Sequence, residues 1–247
     1  MPPYLRSATT TATRDESGDM AESTLRHHRI GQYEFLLLAL LTAVLIRPIL
    51  QNGVFGALIL NILTSTILIT SAYAVSGERR ALLVSLALLV PGLISSWSTV
   101  VISALWPMAV SAVLVFTFFS YVSSMMIRDI LSQKNVTRDT IFGSACVYML
   151  IGGAFAQLFL LLQIVEPQSF GQAVDLAPVG QEVRLFSELN YFSFVTLTTL
   201  GYGDITAKTG LARGVATVEA MVGQFYLAVL VARLVGLHLA GSQLTRD

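Results

Sequence analysis

The sequence predicts an all-α membrane protein: six transmembrane helices, with a short re-entrant helix and loop between the fifth and the sixth. Three observations predict it. Of 247 residues, 54% are hydrophobic and only 12% charged, where a soluble domain carries about 25% charged residues; the mean hydropathy is +0.71. Six apolar runs follow one another, each near the length that crosses a bilayer core. Between the last two lies a segment too short to cross, followed by the loop "TLGYGD".

The runs cover about 34 to 50, 53 to 75, 80 to 96, 100 to 126, 141 to 165 and 211 to 240. Pro91 and Pro107 read as kinks within spans. The first 32 residues are polar, lack apolar periodicity and read as a disordered tail with no signal peptide. "RDILSQKNVTRDT", 128 to 140, reads equally as a solvated linker or an interfacial helix. Residues 241 to 247 read as a short cytoplasmic end, and no soluble ligand-binding domain is expected.

Lys+Arg and Asp+Glu are both 15, so net charge points to no nucleic-acid partner. The distribution of the basic residues is informative. With the N-terminus inside, Arg6, Arg14, Arg26, Arg29, Arg79, Arg80, Arg128, Lys134, Arg138, Arg233 and Arg246 lie on the inner side, 11 of the 15. Only Arg47, Arg184, Lys208 and Arg213 fall outside or at the outer boundary. Short basic loops favour the cytoplasm, so both termini are expected there. The loop from Glu166 to Gly210 is then outside. On that topology the sequon at Asn135 would carry no glycan, and a pH-sensing role for His27 and His28 in the tail is the lesser reading. Cys146, the single cysteine, reads as packing. No His, Cys or carboxylate cluster has ligand spacing, and no nucleophile has a base, so no enzyme chemistry is expected.

Unpaired backbone costs several kcal/mol per group in lipid, so an irregular loop at membrane depth must be buried in protein or line an aqueous path. "ELNYFSFVTLTT", Glu188 to Thr199, makes about three helical turns and reads as a re-entrant helix capped by Ser187, with Glu188 in its first turn. Its partially negative C-terminal end favours a cation. In "TLGYGD", Gly201 and Gly203 stand two apart. That is the spacing by which ordinary and left-handed residues alternate so that successive carbonyls line one axis. Thr199 can add its hydroxyl at the inner end, while Leu200 and Tyr202 point away and brace the ladder from behind.

"TTLGYGD", Thr198 to Asp204, resembles the filter signature of the tetrameric potassium-channel family, with Leu200 where valine is commonest. The resemblance implies a homotetramer in which loops from four chains replace the hydration shell of K⁺, the permeant ion. It implies that Thr199, Leu200, Gly201 and Tyr202 supply coordinating oxygens, that Gly203 closes the outer mouth, and that Thr198 supports the filter. Asp204 would hydrogen-bond to an aromatic cuff, with Tyr191 and Phe192 at the positions of the family's paired aromatics. Arg213 opens the inner helix, and Gly223 falls at the hinge glycine, nineteen residues after Asp204. The likeness covers about 141 to 240, the expected pore domain; the peripheral spans, 33 to 127, match only in number and length.

Along the inner helix, Gly223 reads as a gating hinge or a packing contact, and Gln224 as lining the cavity. Leu227, Val231 and Val235 read as a dry constriction or as packing. Glu219, an acid within a span, reads as a hydrogen bond behind the pore. The fourth span, Val100 to Ile127, carries no Lys or Arg, so it has no gating charge and conventional voltage gating is not expected. The expectation is a potassium-selective channel of the plasma (inner) membrane. A weakly selective cation channel or a non-conducting K⁺-binding membrane protein are the alternatives. A coupled transporter lacks an internal repeat or ionisable relay.

Overall fold

In the computed structural model, the described residues are 32–50, 54–76, 79–102, 104–133, 137–171 and 182–243. Almost all of the expected tail, with His27 and His28, lies outside them, as do Asn135 and the last four residues. The described chain is helical: α1 (Gln32–Ile46), α2 (Val54–Ala74), α3 (Arg79–Val101), α4 (Leu105–Ser132), α5 (Arg138–Val165), α6 (Glu182–Leu197) and α7 (Gly210–Gln243). Among the described residues the only β-pairing is an isolated bridge between Phe170 and Ala207. Among the described residues five helices, α2, α3, α4, α5 and α7, are long and apolar enough to cross a membrane. At 15 residues, α1 is shorter, about 22 Å against a hydrocarbon core of roughly 30 Å.

Several boundaries differ from the sequence reading. The first run ends at Ile46, not near residue 50, because Pro48 lacks the amide that would continue the ladder and disfavours helix at Arg47. Helix α3 continues past Pro91 through "SSWST" to Val101 rather than ending near 96. Two of those hydroxyls are satisfied within the helix, Ser98 Oγ donating to the Ser95 carbonyl and Thr99 Oγ1 to that of Ser96, both at 2.7 Å; Ser95 and Ser96 donate instead to the Pro107 carbonyl of α4 and to Asn61 of α2. Pro107 is not a mid-span kink: it sits in the first turn of α4, where its missing N–H costs nothing. No separate interfacial helix lies in the described part of 128–140. Residues to Ser132 extend α4, and α5 starts at Arg138. Thr137 caps α5 reciprocally with Thr140.

Helix α5 is the hub, packing against α1, α4, α6 and α7. Its Cys146, Val147, Leu150 and Ala154 join Leu36, Leu68, Phe118 and Val122 in one buried cluster. One to two turns on, Phe159, Leu160 and Leu162 join Leu189, Phe192, Ile205 and Ala212 in a second. Outward faces are apolar too, as at Phe35, Phe55, Leu83 and Val101. A helix hydrophobic on all sides belongs in lipid or in a large core, and this is a multi-pass membrane protein.

Candidate functional site

Helix α6 begins at Glu182, five residues before the expected cap at Ser187. The reason is its apolar face: Leu185, Leu189 and Phe192 recur at helical spacing and are all buried against α5. Ser187 is therefore buried within the helix rather than capping it. With 16 residues, α6 is about 24 Å long.

The helix ends in a C-terminal cap that runs directly into the glycine loop. The amide of Leu200 donates to the Val195 carbonyl at 3.0 Å and that of Thr199 to the Thr196 carbonyl at 2.9 Å. This is a Schellman cap, with its left-handed residue at Thr199, φ +59°. Glycine usually takes that place; in a β-branched residue it costs about 1–2 kcal/mol. Gly201 (φ +55°) and Gly203 (φ +81°) follow in the same region. Left-handed residues therefore recur at 199, 201 and 203, separated by Leu200 and Tyr202 at negative φ. Nothing crowds a Cβ at either glycine, so backbone conformation alone calls for them.

The residues singled out in the sequence divide as follows. Tyr191 and Phe192 point to different places. Tyr191 donates its hydroxyl to Asp204 Oδ2 at 2.8 Å, while Phe192 is buried edge-on against Phe159 and Phe170, with centroids 5.0 and 5.1 Å away. The Tyr191 hydroxyl holds the Asp204 carboxyl below its ordinary range, and Asp204 in turn raises the Tyr191 phenol to about 12. Thr198 turns its hydroxyl back onto the Phe194 carbonyl at 2.7 Å. Leu200 and Tyr202 are 54% and 68% exposed in the single chain.

Beyond the loop, the chain is stitched to the end of α5. Gly171 donates to the Thr206 carbonyl at 2.9 Å and Lys208 to that of Ser169 at 2.8 Å. Thr209 accepts from the Ala212 amide at the start of α7. Arg213, in the first turn, reaches the Ala207 carbonyl at 3.1 Å. Helix α7 then passes under the loop. Gln224 Nε2 lies 3.4 Å from Thr199 Oγ1. Gly223 is buried, and a Cβ there would collide with the Leu197 carbonyl oxygen, so close helix approach requires this glycine. Leu227, Val231 and Val235, further along, are exposed on the single chain and are not brought against the loop.

Three contributors were not singled out in the sequence. Tyr148, on α5, donates to the Leu197 carbonyl at 3.1 Å, at the end of α6. Ser193 is buried where α5, α6 and α7 meet. Arg47 stacks 4.5 Å over the Phe186 ring and donates to Thr64 at 3.0 Å, tying the first two helices to the start of α6. A polar tip on a mid-span aromatic was the available signal for Tyr148; a lone serine in an apolar helix carries none.

A short helix thus ends in a left-handed, glycine-rich loop and is held between two long apolar helices. Residues 144–237 match the ion-channel family model. Protein LctB of Geobacillus stearothermophilus is 34% identical over 87 residues, which are 35% of this chain and 62% of that protein. Protein LctB of Bacillus caldotenax is 36% identical over the same length. The chain thus spans 62% of the length of these curated relatives. No solved structure matches the chain.

Proposed function

We propose that this protein is a potassium-selective channel: a homotetramer conducting K⁺ passively through "TLGYG". The observation that carries the reading is the recurrence of left-handed residues at Thr199, Gly201 and Gly203 directly after the C-terminal end of α6. Alternating backbone handedness lets successive carbonyls face one axis, and carbonyls replace the hydration shell of a cation. In this reading Thr199, Leu200, Gly201 and Tyr202 coordinate K⁺, and Gly203 ends the ladder. Thr198, Tyr191, Phe192 and Asp204 support it, and α6 is the re-entrant pore helix. Gln224, Leu227 and Val231 line the inner path, and Gly223 serves as the hinge. The reading involves no enzyme chemistry.

One chain supplies one such loop, so closure around an axis takes four. The exposed apolar residues Leu200, Leu211, Met221, Phe225 and Val229 support burial by neighbouring copies. Six spans follow if α1 crosses together with its flanking residues. Four of them, over 33–127, then surround a pore domain at 141–240, joined by the linker 128–140, with both termini at the cytoplasmic side of the plasma membrane.

The test is K⁺ against Na⁺ flux through purified protein in liposomes, with Gly201→Ala alongside. K⁺ flux with little Na⁺ flux, abolished by Gly201→Ala, supports the reading. Equal fluxes support a weakly selective cation pore instead. Absent flux together with K⁺-dependent stabilisation supports a non-conducting K⁺-binding protein.

A further inference from the structure

Ser193 Oγ lies 2.7 Å from the Gly152 carbonyl oxygen and 2.5 Å from Glu219 Oε1. Both separations are hydrogen-bonding distances. A serine hydroxyl has one hydrogen, and a carbonyl oxygen has none to give. Two hydrogens are needed to hold three oxygens in this chain, so the second must come from the carboxyl group. We propose that Glu219 carries a proton and donates it to Ser193, which donates to Gly152. Glu219 thereby acts as a neutral clamp positioning the pore helix α6 between α5 and α7.

The surroundings favour the neutral acid. Glu219 is fully buried, and its Oε2 is without a hydrogen-bond partner among the described residues. Among the described residues no cation forms an ion pair with it. Tyr148, on α5, is the titratable group that faces it, and the Tyr148 hydroxyl is already given to Leu197. A carboxylate left in this state would be an unpaired charge inside the membrane, far costlier than a neutral acid that makes one hydrogen bond. The opposite assignment, Ser193 donating to a carboxylate, would press the serine oxygen against the Gly152 carbonyl with no hydrogen between them.

The clamp sits at a register that matters. Glu219 and Gly223 are one turn apart on α7; Ser193 and Leu197 are one turn apart on α6. The first of each pair meets by hydrogen bond, and the second by backbone approach at Gly223. Leu197 is the last residue of α6, two before Thr199. A displacement of α7 is therefore passed to the base of the glycine loop, and Glu219 is a positioning residue for it.

The consequence for selectivity rests on the channel reading above; the protonation state does not. The experiment is infrared spectroscopy of the purified full-length protein near neutral pH, wild type against Glu219→Gln and Ser193→Ala. A carboxylic-acid C=O band is expected in the wild type, lost in Glu219→Gln and shifted in Ser193→Ala. Wild-type and Glu219→Gln spectra that are identical in this region would overturn the proposal, whether or not the protein conducts. Liposome flux adds the functional arm. Glu219→Gln, whose amide can donate to Ser193, is expected to keep wild-type K⁺/Na⁺ discrimination, and Glu219→Ala to lose it. Loss in both variants would refute the neutral clamp, and retention in Glu219→Ala would refute the positioning role.

Discussion

Tyr191 donates its phenolic hydrogen to Asp204 at 2.8 Å, tying α6 to the residue that closes the glycine loop. The bond holds the Asp204 carboxyl below its ordinary range. Its contribution is therefore complete above the ordinary carboxylate range and is lost as pH falls through the lowered value. On the alkaline side Tyr191 is raised to about 12, so the contribution persists until pH rises through that value. Tyr191→Phe returns Asp204 toward its ordinary range. The acid loss of K⁺/Na⁺ discrimination in liposomes is then expected at higher pH than in the wild type. Superimposable acid limbs for the two proteins would count against the bond.

Gly223 meets the Leu197 carbonyl with no room for a side chain. Gly223→Ala is expected to destabilise the folded protein by about 1–3 kcal/mol through overpacking, read as a lowered Tm in detergent. Unchanged Tm with altered open probability would instead assign the glycine to hinge motion alone.

Thr199 holds a left-handed backbone at the end of α6, and its hydroxyl oxygen accepts from Gln224 Nε2. Thr199→Ser keeps the hydroxyl; Thr199→Val keeps the shape and removes it. The valine variant is expected to weaken K⁺-dependent stabilisation about tenfold in apparent affinity, ~1.4 kcal/mol, the size of one polar contact. The serine variant should stay near wild type. Equal K⁺ titration curves for all three would exclude the hydroxyl as a ligand.

Arg233 of α7 donates from Nη2 to the Leu131 and Gln133 carbonyls, at 2.5 and 2.8 Å. A cation on the last carbonyls of a helix is favourable, and this one fastens α7 to the C-terminal end of α4. The site is half-exposed, so Arg233→Ala is expected to cost only about 1 kcal/mol. Arg233→Lys should fall between the two, and thermal unfolding decides. If α4 and α7 act together in opening, the alanine variant also shifts open probability.

Helix α4 carries no Lys or Arg from Leu105 to Ile127. One charge moved through 100 mV gains about 2.3 kcal/mol, and α4 has none within that stretch to move. Conductance is expected to vary weakly between about −100 and +100 mV; steep sigmoidal activation would contradict this.

The membrane helices were legible because hydropathy is summed along the chain, and the loop because alternating left-handed residues need glycine locally. The boundaries were less legible. Ser187 and Glu188 look like a helix start, yet burial of Leu185 extended α6 to Glu182. Pro107 resembles a kink until the helix is seen to begin two residues before it. Thr199 carried no signal of a left-handed backbone, because β-branched residues seldom adopt it and here the Schellman hydrogen bonds impose it.

By itself, then, the sequence determined that this is a multi-pass helical membrane protein with a non-spanning segment and a glycine loop before its last helix. Tertiary structure alone decided which faces meet: Ser193 and Leu197 against Glu219 and Gly223, Tyr191 against Asp204, Arg233 against the end of α4. The physical reason lies in the solvent. In water, a polar stripe marks the outer face of a helix and so orients it. In lipid both faces are apolar, and contacts between residues 13, 26 or 102 positions apart depend on close packing and isolated polar pairs.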